Sequence, residues 1–212
     1  MANDLKIKIC GMRDADNLRA IAALGPDFLG FIFYPKSPRA MTAEQAAALP
    51  DFPAIKRVGV FVNESPEIML ATANKARLNM LQLHGDESPE TCADIKRRNP
   101  QLQLIKAFAV DNSFDGKALA AYETARDYFL FDTRTKQRGG SGHAFDWSVL
   151  RRFPIRRPFF LGGGIGPENA SEAVAACAGL PLYALDINSR AETAPGVKSV
   201  EAVRQIINSV SI

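Results

Sequence analysis

Apolar and polar positions along the chain alternate between two rhythms. Short runs dominated by β-branched, aliphatic and aromatic residues, at 6–10, 28–33, 57–62, 80–83, 102–108, 128–131, 159–161 and 182–185, read as strands. Segments of helical period lie between them, each opened by a start signal. These are Asp14 ahead of an Ala/Leu/Ile stripe to Leu24, Thr42 with Glu44 and Gln45 behind it, Ser65-Pro66-Glu67 and Ser88-Pro89-Glu90. Asp115, Pro167-Glu168 and the stretch from Val200 follow. Ser before Pro starts a helix for a mechanical reason. Proline lacks the N–H that would go unbonded in the first turn, and the serine oxygen accepts one that remains.

Strand, helix, strand at this spacing requires parallel pairing through crossover helices, which buries the sheet on both faces. Eight repeats favour closure over an open doubly wound sheet. The open sheet usually carries GxGxxG after its first strand, and this chain has Cys10-Gly11-Met12-Arg13-Asp14 there. The expected fold is α/β, a single TIM-type eight-stranded β/α barrel. With 212 residues and 47% apolar content, one domain spanning 1–212 is expected.

In such a barrel, function belongs to the loops after the strands' C-terminal ends. Those positions are notably polar or glycine-rich: Cys10, then Pro35 to Arg39, Asn63, His84-Gly85-Asp86, Asp111, Asp132-Thr133-Arg134, Gly162-Gly163-Gly164 and Asp186-Ile187-Asn188-Ser189. The opposite ends hold ordinary turns such as Gly25-Pro26-Asp27 and Asn99-Pro100.

Charge and cysteine usage exclude several classes. A net charge of +3 is mild, and Arg151, Arg152, Arg156 and Arg157 lack the interleaved aromatics of a nucleic-acid stripe, so no nucleic-acid partner is expected. Three cysteines (Cys10, Cys92 and Cys177) without a CxxC pair imply neither a disulfide framework nor a zinc site. No metal is expected, since His84 and His143 are the only histidines and form no HxH or HExxH spacing. No apolar stretch approaches the roughly 20 residues that span a bilayer, and the N-terminus lacks a signal-type apolar run. A soluble, cytoplasmic protein without a membrane partner is expected.

Several strand-end residues have the types that carry chemistry. Arg138-Gly139-Gly140-Ser141-Gly142 and Gly162-Gly163-Gly164-Ile165-Gly166-Pro167, the latter read as opening a helix, allow backbone N–H groups to approach a phosphate closely. Asp132 shares a face with Leu130 at the barrel mouth. A carboxyl held among apolar walls keeps its proton more readily and can act as a general acid, although a capping aspartate is the commoner case. Cys10 lies at the end of strand one, where it is either an inert packed thiol or a reactive one. Lys8 is on the same face, about 6–7 Å deeper, and its ammonium is expected to favour the Cys10 thiolate unless it is a paired lumen lysine. Arg39, on the Ser37-Pro38-Arg39 loop, suits a substrate carboxylate, a surface arginine being the plain alternative. His84 is a hydrogen-bonded structural residue or a proton shuttle.

Taken in order, Lys8-Ile9-Cys10-Gly11-Met12, Gly30 through Arg39, Gly59-Val60-Phe61-Val62, Gln82-Leu83-His84-Gly85, Asp132 with Gly139-Gly140-Ser141-Gly142 and Phe145-Asp146-Trp147, Gly162-Gly163-Gly164-Ile165 and Pro195-Gly196-Val197-Lys198 resemble the phosphoribosylanthranilate isomerase family over essentially the whole chain. The resemblance implies a cofactor-free Amadori rearrangement of a phosphorylated sugar-anthranilate in tryptophan biosynthesis. Asp132 would be its general acid and Cys10 its general base. Arg39 would orient the anthranilate carboxylate, and the loops around Gly140–Gly142, Gly163–Gly164 and Asn188–Ser189 would hold the phosphate. His84 and Asp186 count among the substrate-binding positions, and the assembly would be a monomer or homodimer.

The chain departs from the family after strand eight. Where a Ser-Ser-Gly-Val-Glu run is frequent, it has Asn188-Ser189-Arg190-Ala191-Glu192, so Arg190 replaces a glycine and would clash, turn outward or add a charge-assisted bond. Two rival readings are a barrel that forms an imine through Lys8 or Lys106 and a catalytically silent phosphate-sensing scaffold.

Overall fold

The structure, a computed structural model, describes residues 5–111, 113–122, 127–133 and 144–210. Its strands are β1 (Lys6–Ile9), β2 (Phe28–Ile32), β3 (Lys56–Phe61), β4 (Met80–Leu83), β5 (Gln103–Val110), β6 (Tyr128–Thr133), β7 (Phe159–Leu161) and β8 (Leu182–Ile187). Each pairs in parallel with the next, and β1 pairs with β8 to close the barrel, Lys8 standing opposite Asp186. The expected TIM-type β/α barrel is therefore the fold found. β6 and β8 run beyond the apolar stretches that announced them, because ladder partners such as Ala109 for Asp132 continue the backbone pairing. The lumen accepts the carboxylates that a hydropathy reading treats as strand ends.

The helices α1 (Ala15–Ala22), α2 (Ala43–Ala48), α3 (Pro66–Lys75), α4 (Pro89–Arg98), α5 (Lys117–Ala120), α6 (Ala170–Ala176) and α7 (Val200–Val210) lie between or after the strands. Asp14, Ser65 and Ser88 each cap their helix through a side-chain oxygen, and Thr42 forms a reciprocal capping box with Gln45. α6 departs from expectation. It begins at Ala170 because Asn169 ties the preceding turn, accepting from the Gly166 N–H and donating to the Gly164 carbonyl. The glycine run thus ends in a stapled loop and does not feed a helix directly. Between β6 and β7 lies a 3-10 helix, Trp147–Arg152, started by the Asp146 carboxylate on the Ser148 N–H.

Strand alternation divides the core in two. Outward residues such as Ile9, Phe31, Leu81, Phe129 and Leu161 pack under the helices. Inward residues Phe28, Val58, Met80, Ile105, Leu130, Phe160 and Ala184 plug the N-terminal half of the lumen, with Phe28 edge-on to Phe160 at 5.3 Å. That plug leaves the C-terminal mouth as the open end. Among the described residues no helix is long and apolar enough to cross a membrane.

Arg57 shows how the outer layer is tied. It is 3% exposed on the outer face of β3, lies over the Phe31 ring at 4.4 Å, and donates to the carbonyls of Ala46, Pro50 and Ala76. It thereby satisfies carbonyls near the C-terminal ends of α2 and α3, where helix dipoles favour a cation. Burial draws its pKa below the ordinary arginine value. Arg57→Leu strands those buried carbonyls, and urea unfolding should show a loss of about 2–3 kcal/mol.

Candidate active site

Cys10 follows directly on β1, and its backbone N–H donates to the Ile187 carbonyl at 2.8 Å, holding it on the closing seam. Gly11, at φ +79°, then turns the chain so that the Gly11 and Met12 N–H groups both reach the Gly30 carbonyl. Only glycine fits at position 30: a Cβ there would lie 2.9 Å from the Cys10 Sγ and 3.0 Å from its Cα. The thiol is 3% exposed and packs with Ile32, Val60 and Tyr34.

Beneath it, Lys8 is wholly buried and donates to Asp186 Oδ1 and Gln82 Oε1, both at 2.7 Å. Burial disfavours the ammonium, but the attraction of Asp186, helped by Cys10, outweighs it and holds the Lys8 pKa above its ordinary value. Lys8 does favour the Cys10 thiolate, but the expectation that this is enough to lower the thiol pKa is corrected. Burial pushes the thiol up, Asp186 adds to it, and the opposing pull of Lys8 and Lys198 falls short. The physical reason is burial of the thiol, which penalises its anion more than Lys8 favours it, while Asp186 beside Lys8 offsets part of that attraction.

Asp132 lies within β6 at the mouth. Its Oδ1 accepts from the Thr133 N–H at 2.8 Å, and its Oδ2 lies 3.3 Å from His84 Nε2. His84 Nδ1 in turn lies 2.8 Å from Gln82 Nε2. The apolar walls expected around Asp132 are thus replaced by an imidazole and a backbone donor, with Asp186 near enough to feel its charge.

Arg39 is no surface arginine. It is 8% exposed and grips Glu192 through Nε (2.8 and 3.1 Å) and Nη2 (2.5 Å). Glu192 also accepts from Lys198 Nζ at 2.6 Å and the Gly196 N–H at 3.0 Å. These come from the hairpin of β9 (Glu192–Ala194) and β10 (Val197–Lys198). Burial opposes the Glu192 carboxylate, yet its bond to Arg39 and the nearby Lys198 outweigh that and hold its pKa below the usual range. The expected recognition arginine therefore arrives pre-oriented by a protein carboxylate, with no bond from its Nη1 amine among the described residues.

The loops after β7 and β8 stand side by side. Gly163 and Gly164 have φ of +84° and +67°, and a Cβ on Gly163 would collide with the Thr133 side chain and backbone. Ser189 opens a short 3-10 helix, Ser189–Ala191, the kind of element that supplies phosphate-binding N–H groups in barrels. Asn188, preceding it, has its side-chain oxygen on Lys198 Nζ at 2.8 Å, so that group ties the hairpin. Arg190 pairs with Glu168 of the neighbouring loop. Gly140, Ser141 and Gly142 lie outside the described residues, as does His143.

Gln82, Glu192 and Lys198 are site residues that the pattern of strand ends did not single out. Gln82 had a signal in being a polar residue in the inward register of an apolar strand, two before His84. Lys106 is on the outer face of β5, bound to Glu87 Oε2 and the Gly85 carbonyl at 2.7 Å. With Lys8 fully engaged and Lys106 outside the lumen, neither lysine is placed as an imine-forming amine. Among the described residues no cluster of three or more His, Cys, Asp or Glu could hold a metal ion.

Known proteins share this architecture and sequence. The family model of N-(5'-phosphoribosyl)anthranilate isomerase matches residues 7–209. The N-(5'-phosphoribosyl)anthranilate isomerase of Parabacteroides distasonis is 42% identical over 207 residues, 96% of this chain and 92% of that protein. The crystal structure of phosphoribosyl anthranilate isomerase from Thermus thermophilus superposes with a TM-score of 0.85 at 34% identity, covering 97% of this chain and 98% of that one. A phosphoribosyl anthranilate isomerase in complex with reduced 1-(o-carboxyphenylamino)-1-deoxyribulose 5-phosphate gives a TM-score of 0.80 at 34% identity, with the same coverage. The chain belongs to the N-(5'-phosphoribosyl)anthranilate isomerase family.

Proposed function

We propose that this chain isomerises N-(5'-phosphoribosyl)anthranilate to 1-(2-carboxyphenylamino)-1-deoxyribulose 5-phosphate in tryptophan biosynthesis, with Asp132 as acid and Cys10 as base. The observation that carries this reading is the placement of a buried thiol and a hydrogen-bonded carboxyl at the ends of β1 and β6. Arg39 and the β7 and β8 loops then stand ready for the substrate's two anionic ends.

The chemistry balances without an external oxidant or reductant. Asp132 gives its proton to the furanose ring oxygen, the C1–O bond breaks, and the nitrogen lone pair forms a protonated C1=N bond. Cys10 as thiolate removes the C2 proton, and the electrons of that C–H bond form C1=C2 while the C=N pair returns to nitrogen. The resulting enolamine tautomerises to the ketone. Asp132 ends deprotonated and Cys10 protonated, and exchange with water restores both. General acid–base groups so placed contribute about 10²–10⁴ in rate.

Burial makes Cys10 hold its proton more firmly than an ordinary thiol does. The cationic imine adjacent to C2 supplies the positive charge that a thiolate needs, alongside Lys8 and Lys198, so the thiol gives its proton to water as the ring opens and is then competent to take the C2 proton. Ile32, Val60 and Tyr34 around the thiol suit an aromatic ring, and Arg39 suits its ortho carboxylate. The Gly163–Gly164 loop and the Ser189 turn offer backbone donors to the phosphate, with Gly140–Gly142 assigned to the same task on sequence grounds.

Loss of anthranilate-substrate fluorescence measures the reaction. Cys10→Ala and Asp132→Asn should each lower kcat by about 10²–10⁴, and wild-type turnover in both would sink the assignment. Absorbance titration at 240 nm of a Cys92→Ala/Cys177→Ala variant should show the Cys10 thiolate only above the ordinary thiol value of about 8.5. Glu192→Gln weakens the grip on Arg39 and should raise KM at least ten-fold, roughly one charge-assisted hydrogen bond, with a smaller change in kcat.

A further inference from the structure

The lumen holds a directional chain of hydrogen bonds with one end on a group that can only donate. Lys8 Nζ is an ammonium, so the atom of Gln82 that faces it at 2.7 Å must be the amide oxygen. That fixes the other end of the amide: the Gln82 Nε2 hydrogens point at His84 Nδ1, 2.8 Å away. A donor facing Nδ1 requires a lone pair there. The imidazole is therefore in its neutral form with the proton on Nε2, and that N–H points at Asp132 Oδ2 at 3.3 Å. An imidazolium would set two donors, Nδ1–H and the Gln82 amide, against each other in a partly buried site.

We infer that Lys8 and Gln82 act as a tautomer lock on His84, holding it as a neutral Nε2–H donor beside Asp132 so that Asp132 can still carry the proton it delivers to the substrate. This rests on the acid role proposed for Asp132. The reason the lock matters is electrostatic. A carboxyl beside an imidazolium is held as carboxylate, whereas a neutral N–H orients the same group without adding a unit charge. The charged groups around the imidazole are Asp132 from β6, Asp186 from β8 and Lys8 from β1. Lys8 acts on this cluster twice, by pairing with Asp186 and by turning the Gln82 amide. His84 and Gln82 are thus positioning residues, acting on the substrate through Asp132.

The histidine ring nitrogens report the state directly, and His84 is one of only two histidines in the chain. In 15N-histidine NMR of the wild-type protein at pH 7, with His84 assigned by its loss in His84→Gln, one protonated Nε2 and one bare Nδ1 are expected. Two protonated nitrogens, or a proton on Nδ1, would overturn the inference whatever the activity. Gln82→Glu places an acceptor-only carboxylate against Nδ1, so His84 should become an imidazolium. There kcat at pH 7 should fall at least ten-fold, and the alkaline limb of the pH–kcat profile should move down by about one unit or more. Gln82→Met, which removes the lock without adding charge, should move that limb in the same direction by a smaller amount. In a His84→Gln background, Gln82→Glu should no longer move the limb relative to His84→Gln alone. An unmoved limb in Gln82→Glu with a proven imidazolium, or a shift that persists without the histidine, refutes the coupling. A wild-type protein inactive on the substrate would instead overturn the proposed function, while the NMR still decides the tautomer.

Discussion

The interior of this barrel is organised by one buried ammonium. Lys8 is fully removed from water on the strand where the barrel closes, and a charge in that position is tolerable only if it is paired and fully hydrogen-bonded. Asp186 meets it across the β1–β8 seam, where the two residues are register partners. Gln82 meets it from β4 on the far side of the lumen. A one-residue slip at either strand would turn one partner outward and leave the charge alone, so the same contact that satisfies Lys8 also penalises wrong closure. From it follow the orientation of Gln82, the tautomer of His84 and the donor facing Asp132. The muted field at Cys10 follows as well.

A second ionic cluster does for the mouth what the first does for the lumen. Arg39, Glu192 and Lys198 come from the β2 loop and the hairpin after β8, and their mutual pairing fixes loops that sequence leaves independent. Close packing completes the arrangement. Gly30 and Gly11 lie where any Cβ would strike Cys10 or the Arg39 side chain, so the thiol and the guanidinium can approach the same space. The Arg190–Glu168 pair ties the β7 and β8 loops to each other. Protein-supplied partners therefore hold Arg39 and the loops around it in place.

The fold was largely legible along the chain. Eight apolar runs, their capped helices and the polar character of every C-terminal strand end specify a closed parallel barrel and the end that works. The position of Asp132 followed from alternation, that of Cys10 from the end of the first strand and that of Arg39 from the Ser37-Pro38-Arg39 loop. Their surroundings did not. Lys8 reads from sequence as a promoter of the thiolate, and only the burial of the thiol, with Asp186 beside Lys8, shows why that promotion falls short. Asp132 reads as sitting among apolar neighbours because Leu130 and Phe131 precede it, yet His84 reaches it from a strand 48 positions earlier in the chain. The glycine run after β7 reads as a helix entry, until the Asn169 staple delays the helix to Ala170.

By itself the sequence determined which groups face the lumen and in what order they meet the mouth, because side-chain direction in a strand is a matter of parity and helix starts are set by local caps. The tertiary structure decided what each of those groups is. Whether the thiol holds its proton, which nitrogen of His84 carries one, and whether Arg39 stands free or gripped depend on partners brought together by barrel closure. Those interactions fall off steeply with distance and strengthen as water is excluded. Parity is a property of neighbours along the chain, whereas protonation and orientation belong to neighbours in space.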